Sequence, residues 1–200
     1  MGETALYICD IDQNDLASGV TKKILGQTKS FKKKGYTFSI LNISKFRKAS
    51  TLFNKITSRL PLFSSHYLWK DIIIKENYDL IYIRKPFMDI NFMHFLQNLR
   101  QRHSEAIFVL EIPTYPYSRE TRRIVDYPYL LKDFFWTHRL KQYIDLIVIY
   151  SDNYKELYDI PCVSIDNGID MDTIRLKKAS NNKKLINLIA VANINFWHGY

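Results

Sequence analysis

The chain has 200 residues, 46% of them apolar, and a formal net charge of +9 at pH 7. This length predicts one or two domains, and the apolar content is ample for a packed core. No apolar run approaches the roughly eighteen residues that a membrane-spanning helix needs, and residues 1–12 lack the features of a signal peptide, so we expect a cytosolic protein. Cys9 and Cys162 lack CxxC spacing, which favours buried free thiols.

The positive charge is concentrated in one part of the sequence. Between Leu16 and Lys70 there is no acidic residue. The basic residues of this stretch are Lys22, Lys23, Lys29, Lys32, Lys33, Lys34, Lys45, Arg47, Lys48, Lys55, Arg59 and Lys70. Such asymmetry points to an anionic partner, which is a membrane surface, a phosphorylated substrate or nucleic acid; a solvated lysine-rich surface is the alternative.

The beginning of the chain alternates between strand and helix patterns. Residues 5–9 and 36–41 are typical of strands, and residues 20–33 have helical character. This order is the opening unit of a doubly wound parallel α/β domain. Ser18 and Gly19 precede the helix and are placed to offer backbone N–H groups to a phosphate, although the six-residue glycine fingerprint of dinucleotide binders is missing.

Residues 45–60 carry a basic amphipathic pattern. Apolar residues recur at helical spacing, and basic residues, among them Lys45, Arg47, Lys48 and Lys55, occupy much of the remaining surface. A helix of this kind is able to dock on anionic lipid, where each basic residue adds about 1 kcal/mol. It is equally able to cover the sheet of its own domain, because any surface helix needs an apolar stripe.

The middle of the chain continues the alternation, with predicted strands at 78–83 and 106–110 and helical patterns at 91–102 and 118–143, the latter broken near Pro128. The first strand ends in Arg84 and Lys85, which we expect to present cationic groups to the carboxyl edge of the sheet. The second strand runs into a loop that begins at Glu111. An ion pair between these cations and Glu111 is the alternative.

The loop after residue 110 contains Pro113, Thr114, Tyr115 and Tyr117. Prolines and tyrosines stiffen it, and loops at strand ends are where such folds keep their chemistry. We therefore expect this loop to shape a binding site.

The next part of the chain contains two predicted buried parallel strands and a helical crossover, at 146–149, 161–165 and 153–159. Asn167 and Gly168 follow the second strand and tolerate positive φ, so the chain can turn sharply there. The turn exposes Asn167 and Asp170 at the edge where open α/β sheets bind ligands. An ordinary β-turn is the alternative interpretation.

Several short segments together resemble the family-4 glycosyltransferases of bacterial polysaccharide synthesis. They are IDLIVIYS at 144–151, NGID at 167–170, LIAVAN at 188–193 and FWHGY at 196–200. The loop EIPTYP at 111–116 is similar to one in a branch that builds capsules and exopolysaccharides. The resemblance spans nearly the whole chain.

The resemblance implies a GT-B architecture, in which two Rossmann-like domains face each other across a cleft. Residues 1–170 then form the N-terminal acceptor-binding domain, 171–184 the interdomain linker and 185–200 the first strand of a C-terminal donor-binding domain. In this family the donor is a nucleotide-sugar held mainly by the C-terminal domain, and transfer usually retains anomeric configuration without a metal or another cofactor. The later residues that hold ribose and diphosphate in relatives have no counterpart here, so a separate donor-binding domain or subunit is a further expected partner.

Site residues follow from these matches by position. Ser18 and Gly19 are similar to the loop that approaches the donor. The acceptor site is expected to use Arg84, Lys85, Pro113, Thr114, Tyr115, Tyr117 and Ser151, and the hinge to use Asn167, Gly168 and Asp170. Where many members carry a histidine after the fourth strand, this chain has Glu111, whose carboxylate is our catalytic candidate because it could accept a proton or a hydrogen bond; a structural role is the alternative.

The leading hypothesis is a retaining glycosyltransferase that transfers a sugar to a lipid-linked saccharide at the inner face of the cell membrane, with the basic stretch docked on anionic lipid. A non-catalytic basic module for nucleic acid or anionic membrane is the alternative, although no helix-turn-helix, RNA-recognition or zinc signature supports nucleic acid. An epimerase or dehydrogenase is opposed by the missing glycine fingerprint.

Overall fold

The computed structural model describes residues 3–11, 18–49, 51, 67–115, 127–150 and 154–168. All of them belong to the first of two compact units, Met1–Gly168 and Ile169–Tyr200. Several sequence predictions lie outside the described residues: the linker at 171–184, the strand at 185–200, and the site residues Lys55, Tyr117, Ser151 and Asp170.

Strands and helices alternate through most of the described part of the chain. The strands are β1 (Thr4–Cys9), β2 (Thr37–Asn42), β3 (Leu80–Arg84), β4 (Ile107–Ile112), β5 (Leu146–Ile149), β6 (Glu156–Leu157) and β7 (Ile160–Ser164). The α-helices are α1 (Gly19–Lys33), α2 (Ile90–Arg102) and α3 (Tyr127–Thr137). Single turns of 3-10 helix occur at Ile43–Phe46, Trp69–Asp71 and Leu140–Gln142.

The strands form one sheet in the order β2-β1-β3-β4-β5-β7-β6. Neighbouring strands are parallel except for β6, which is antiparallel to β7. Helices flank this sheet, so the chain has a Rossmann-like α/β fold, as the sequence predicted. In this fold the strand ends that precede α1, α2 and α3 share one edge of the sheet, the carboxyl edge.

Each face of the sheet has its own apolar core, because successive side chains of a strand point to opposite faces. On one face Ile24 of α1 packs with Tyr7, Tyr82 and Val109. On the other face α2 and α3 pack on the isoleucines and leucines of the same strands, with Phe92 and Trp136 among the buried residues. The strands read as near-continuous apolar runs because both of their faces are covered.

The predicted crossover at 153–159 is wrong for its described residues. Glu156–Leu157 is a short strand that forms a hairpin with β7, and the two turn residues Tyr158 and Asp159 have φ of 57° and 58°. Two consecutive positive φ values are characteristic of a type I′ hairpin turn, whose twist matches that of the strands. Asn167 and Gly168, which the sequence indicated could tolerate positive φ, do not have positive φ values.

The basic pattern does not begin an α-helix at Lys45. Ile43–Phe46 is one 3-10 turn, and Arg47 pairs with Tyr67 in an antiparallel bridge. Ile43 is buried in the core that also holds α2, so this turn covers the sheet of its own domain. Pro128, near which the helical pattern at 118–143 was expected to break, lies in the first turn of α3. Proline is tolerated there because no intrahelical N–H is lost. The part of the pattern before Tyr127 lies outside the described residues.

No helix in the described part of the chain is long and apolar enough to cross a membrane.

Candidate functional site

The carboxyl edge of the sheet holds a cluster of polar side chains around Glu111. This residue lies inside β4, one strand position beyond the predicted end of that strand, and is not exposed to solvent. Arg84 at the end of β3 is its register partner on the neighbouring strand. The side chains of register partners lie on the same face, so the two charges meet beneath α1.

Both oxygens of Glu111 have partners. Oε1 forms an ion pair with Nη1 of Arg84. Oε2 accepts hydrogen bonds from the hydroxyl group of Tyr82 (2.9 Å) and from Nε2 of Gln27 (3.0 Å). The hydroxyl group of Tyr7 shares its one hydrogen between Oε2 (3.2 Å) and Oε1 of Gln27 (2.9 Å). A buried carboxylate needs such partners, since an unpaired charge in an apolar interior costs several kcal/mol. The alternative of an ion pair between Arg84 and Glu111 is thus confirmed.

The tyrosines of the cluster stay protonated over the ordinary pH range. Burial and the negative charge of Glu111 raise the pKa of both Tyr7 and Tyr82 well above the usual value of 10.0. The same two causes raise the pKa of Tyr150 to about 12. The rings of Tyr7 and Tyr82 meet edge to face at 5.0 Å, which holds both hydroxyl groups toward the carboxylate.

Helix α1 contributes Lys23 and Gln27, which lie one turn apart and therefore on the same side of the helix. Nζ of Lys23 lies 3.1 Å from the ring centroid of Tyr150 and donates to Oδ1 of Asn167 at 2.9 Å. Nε2 of Gln27 donates to the hydroxyl group of Tyr150 at 2.8 Å. Burial lowers the pKa of Lys23. The helix thus connects the cluster to β5 and to the segment that follows β7.

Ser18 and Gly19 begin α1 at this edge, as predicted. The carbonyl oxygen of Ser18 accepts the first helical hydrogen bond, from the N–H of Lys22 at 3.0 Å, and Gly19 is exposed. The start of a helix carries a partial positive charge. Lys23 and the 13% exposed side chain of Arg84 add cationic groups at this edge, and the charge of Arg84 is paired with Glu111.

The side chain of Lys85 lies on the opposite face of the sheet from that of Arg84. This corrects the expectation that both residues present their charges to the same edge. Successive side chains of an extended chain point to opposite faces. Nζ of Lys85 lies 2.6 and 2.7 Å from the two carboxylate oxygens of Asp133 in α3, and Oδ1 of Asp133 also accepts from the N–H of Met88 at 2.8 Å. Burial lowers the pKa of Lys85, although Asp133 opposes this shift.

The loop residues Pro113, Thr114 and Tyr115 follow β4 and are half-buried. The ring of Tyr115 meets the rings of Tyr154 and Tyr158 edge to face, at 5.4 and 6.3 Å. Tyr115 also packs against the core that contains α2 and α3. The loop is therefore placed beside the β6–β7 hairpin, away from the hydroxyl groups around Glu111. Its role in acceptor binding stays a prediction.

The basic residues assigned to membrane docking differ in their surroundings. Arg47 forms an ion pair with Asp10 just after β1, and the hydroxyl group of Tyr67 donates to the same carboxylate oxygen. The hydrogen bond to Asp10 raises the pKa of Arg47. Lys45 is exposed and Lys48 is half-buried. Much of the charge of Arg47 is thus balanced within the fold.

Sequence analysis did not assign Tyr7, Lys23, Gln27, Tyr82 or Tyr150 to a site. Two features of the sequence could have pointed to these residues: a glutamine within the apolar stripe of α1 and tyrosines in otherwise aliphatic strands. Such polar groups are expected to be buried, and a buried polar group requires a hydrogen-bond partner. Which partner they share depends on strand register, which short apolar runs do not specify.

Among the described residues, no group of three or more His, Cys, Asp or Glu side chains converges as metal ligands would. No family model and no curated protein matches the chain. Among solved structures, the chain has a slight likeness to the crystal structure of histidine kinase ThkA in complex with response regulator protein TrrA. The two share 15% sequence identity over 76% of this chain and 90% of that one, with a TM-score of 0.32. A likeness of this size carries no argument about function.

Proposed function

We propose that the chain is the acceptor-binding part of a retaining glycosyltransferase, which transfers a sugar from a nucleotide-sugar to a lipid-linked saccharide in cell-surface polysaccharide synthesis. The sequence resemblance motivates this proposal. The structural observation that supports it best is the placement of two cations, Lys23 and the partly exposed Arg84, near the start of α1 at the carboxyl edge. Open α/β sheets bind ligands at this edge, and a cationic site there suits an anionic ligand such as a diphosphate.

In this proposal Glu111 positions Arg84 and does not act as the catalytic base. Its oxygens accept from Tyr82 and Gln27, share the hydroxyl hydrogen of Tyr7 and pair with Arg84, so a substrate hydroxyl group would have to displace an existing donor. The guanidinium of Arg84 is held at the boundary between this buried cluster and solvent. It is the group that touches the anionic part of the ligand, and Lys23 is the second such group.

The acceptor side of the proposal places the saccharide near Pro113, Thr114 and Tyr115. Aromatic rings pack on the apolar face of a sugar while hydroxyl groups of tyrosine form hydrogen bonds. The lipid part of the acceptor requires the chain to work at an anionic membrane surface. Lys45 and Lys48 are the described basic residues proposed to face it, with Lys55 beyond the described part of the chain.

The test compares this chain alone with a protein extended by whatever the gene encodes after codon 200. A panel of nucleotide-sugars is supplied, and release of the nucleoside diphosphate and transfer to a lipid-linked saccharide are measured. We expect transfer by the extended protein and little or none by the chain alone, because the donor needs preorganised contacts from both domains. Failure of every donor, together with steeply salt-dependent binding of nucleic acid, would contradict the proposal.

Variants of the extended protein test the assigned residues. Arg84→Gln and Lys23→Gln should each weaken nucleotide-sugar binding about tenfold, the value of one charge-assisted hydrogen bond. Lys22→Gln, on the exposed side of the same helix, is the matched control and should bind normally. Because the pKa of Lys23 lies below the usual 10.5, part of the binding should be lost as pH rises toward that lowered value. Lys23→Gln should remove this pH dependence.

A further inference from the structure

A cavity of about 530 Å³ lies between α1 and β2, the strand at the end of the sheet. It is separate from the cluster around Glu111, with which it shares no lining residue. Its lining residues among those described are Ile11, Thr21, Leu25, Ile40, Leu41, Asn42, Lys45 and Phe46. A cavity of this size, with a mostly apolar lining and a few polar groups, is typical of sites that bind small molecules.

One wall of the cavity is built by the side chain of Asn42, the last residue of β2. Its Oδ1 accepts from the N–H groups of Ile11 (3.1 Å) and Ser44 (3.0 Å), and its Nδ2 donates to the carbonyl oxygen of Ile11 (2.8 Å). Asn42 is 7% exposed, so these hydrogen bonds are shielded from competing water. They join the segment after β1 to the turn after β2, and this wall is therefore preformed.

The polar side chains of the lining all lie at the carboxyl-edge end of the cavity. Thr21 is in the first turn of α1, and Asn42 and Lys45 are at and just after the end of β2. Leu25 is one turn further along α1, and Ile40 precedes the end of β2 by two residues. The cavity therefore offers hydrogen bonds at the edge and apolar side chains further from it.

Two kinds of side chain in this lining lack their usual surroundings. Thr21 is 3% exposed, yet its hydroxyl group has no hydrogen-bond partner within the part of the chain that the structure describes. Buried hydroxyl groups normally have a partner. Leu25 is 48% exposed and Ile40 is 39% exposed, although both side chains are large and apolar. A ligand with a polar head and an apolar body supplies the missing partner and removes both apolar side chains from water.

The charge of the lining is carried by Lys45. This residue is exposed, and no carboxylate among the described residues pairs with it. The carboxylate of Asp10, the residue before Ile11, is paired with Arg47 instead. A lysine keeps its ammonium group in water while its stem covers apolar surface, so the charge of Lys45 lies at the mouth of the cavity. The start of α1 adds a partial positive charge at the same end, and the head of the ligand is therefore expected to be anionic.

A nucleotide suits the cavity less well than a phosphorylated apolar chain. The edges of a nucleobase carry several donors and acceptors, and each one that stays unpaired in a cavity costs binding free energy. Away from the carboxyl edge the described lining consists of the side chains of Leu25, Ile40 and Leu41. A hydrocarbon chain needs no hydrogen-bond partner there.

We propose that the cavity binds an apolar chain that carries a phosphate group at one end. The phosphate lies between Thr21 and Lys45, and the chain runs along Leu25 and Ile40. This inference rests on the proposed function for the source of the ligand, which is the lipid phosphate of the acceptor. It differs from docking on a membrane because the protein itself encloses part of one lipid molecule. The saccharide near Tyr115 then lies three strand spacings away, about 14 Å from β2 to β4 along the carboxyl edge.

Binding of farnesyl phosphate, a short prenyl phosphate, to the chain in solution without vesicles tests the apolar part of the site. Calorimetric titration compares the wild type, Leu25→Gln with Ile40→Gln, and Ile73→Gln. Ile73 is 70% exposed outside this cavity and is the matched control. The double variant should bind about 30-fold more weakly, since two half-exposed side chains lose their remaining burial, and the control should bind normally. Because the substituted side chains are exposed, folding should be preserved, which circular dichroism checks.

The head of the ligand is tested by comparing farnesyl phosphate with farnesol, which lacks the phosphate. Thr21→Val and Lys45→Gln should each weaken binding of farnesyl phosphate about tenfold and leave binding of farnesol unchanged. Lys32→Gln alters an exposed lysine of α1 outside the cavity and should change neither ligand. If all three variants bound farnesyl phosphate equally well, the position of the phosphate would be refuted.

Methyl NMR of the full chain locates the ligand without any substitution. Farnesyl phosphate should shift the methyl signals of Leu25 and Ile40 and leave those of Ile73 in place. Dodecyl phosphate distinguishes the two sources of such a ligand: binding as tight as that of farnesyl phosphate supports a straight acyl-type chain, and weaker binding supports a prenyl chain. Unshifted signals of Leu25 and Ile40 would overturn the inference, and so would tighter binding of adenosine monophosphate at the same methyl groups.

The inference and the proposed function fail separately. Sugar transfer by the extended protein, with a KM for the lipid-linked acceptor that Leu25→Gln with Ile40→Gln leaves unchanged, would overturn the inference and leave the proposed function standing. Farnesyl phosphate bound in the cavity of a protein that transfers no sugar would support the site and contradict its assignment to an acceptor. Absence of farnesyl phosphate and dodecyl phosphate binding would overturn the inference.

Discussion

The consecutive residues Arg84 and Lys85 belong to two buried ionic clusters on opposite faces of the sheet. Arg84 pairs with Glu111 beneath α1, among tyrosine hydroxyl groups and Gln27. Lys85 pairs with Asp133 beneath α3 and is almost completely enclosed. Both pairs are close, yet the side chain of Arg84 retains 13% exposure and that of Lys85 only 2%.

This difference in exposure is the basis for proposing a ligand-binding role for Arg84 and a structural role for Lys85. A cation at the boundary with solvent can exchange part of its surroundings for a ligand, as proposed for Arg84. An enclosed cation can only hold its partner, and Lys85 thereby joins the segment after β3 to α3. Closeness of charges within a fold therefore does not identify a functional pair; access from solvent must accompany it.

The largest expected effect on stability comes from breaking the enclosed ion pair between Lys85 and Asp133. Asp133→Ala removes the carboxylate that pairs with the buried ammonium of Lys85 and that accepts the N–H of Met88. We expect the free energy of unfolding to fall by about 3–5 kcal/mol, as for other broken buried pairs. Urea unfolding followed by circular dichroism measures it.

Two controls sharpen this result. Lys85→Met with Asp133→Leu replaces both charges by apolar groups and should recover most of the stability, since the cost comes from the unpaired charge. Lys141→Met removes a cation from the exposed pair with Asp159 and should have no measurable effect. A loss below about 1 kcal/mol in Asp133→Ala would mean that water or another group satisfies Lys85.

A smaller loss of stability is expected from changes in the cluster around Glu111. Glu111→Gln keeps the shape of the side chain but removes the charge that faces Arg84. The expected loss of unfolding free energy is about 1.5–3 kcal/mol, the value of a hydrogen bond to a charged group. Thermal unfolding measures this change, and Tyr82→Phe, which removes one donor to Glu111, should cost about 1 kcal/mol. A Glu111→Gln protein that is as stable as the wild type would show that this cluster does not hold Arg84.

The smallest expected change in stability concerns α1, the helix that covers the cluster around Glu111. Gly26 lies in the middle of α1, and an added Cβ atom would meet nothing within 4 Å. Gly26→Ala should therefore raise the free energy of unfolding by about 0.5–1 kcal/mol through helix propensity. Gly35→Ala is the opposite control, because its φ of 97° is strained for a residue with a side chain. If chemical unfolding showed that both variants change the free energy of unfolding in the same direction, this account of α1 would be contradicted.

Elements with a long or unambiguous pattern were predicted well. The helix at 91–102 and the strand at 146–149 occur within one residue of their expected bounds. The segment at 153–159 was mistaken for a helix because two strand residues leave no detectable period of two. Its hairpin forms because β7 supplies the pairing edge and a tyrosine with positive φ is held by packing against Tyr115 and His138.

The sequence by itself determined the α/β class and the succession of the main strands along the chain, since apolar runs separated by helical patterns allow few other arrangements. It also indicated that Arg84 and Glu111 could meet, because both follow or end buried parallel strands. Only the tertiary structure decided that Glu111 is enclosed by Tyr7, Tyr82 and Gln27, that Lys85 points away, and that α1 and β2 border a cavity. Those features depend on strand register and on the rotation of each helix about its axis, which are set by packing between elements distant in the chain.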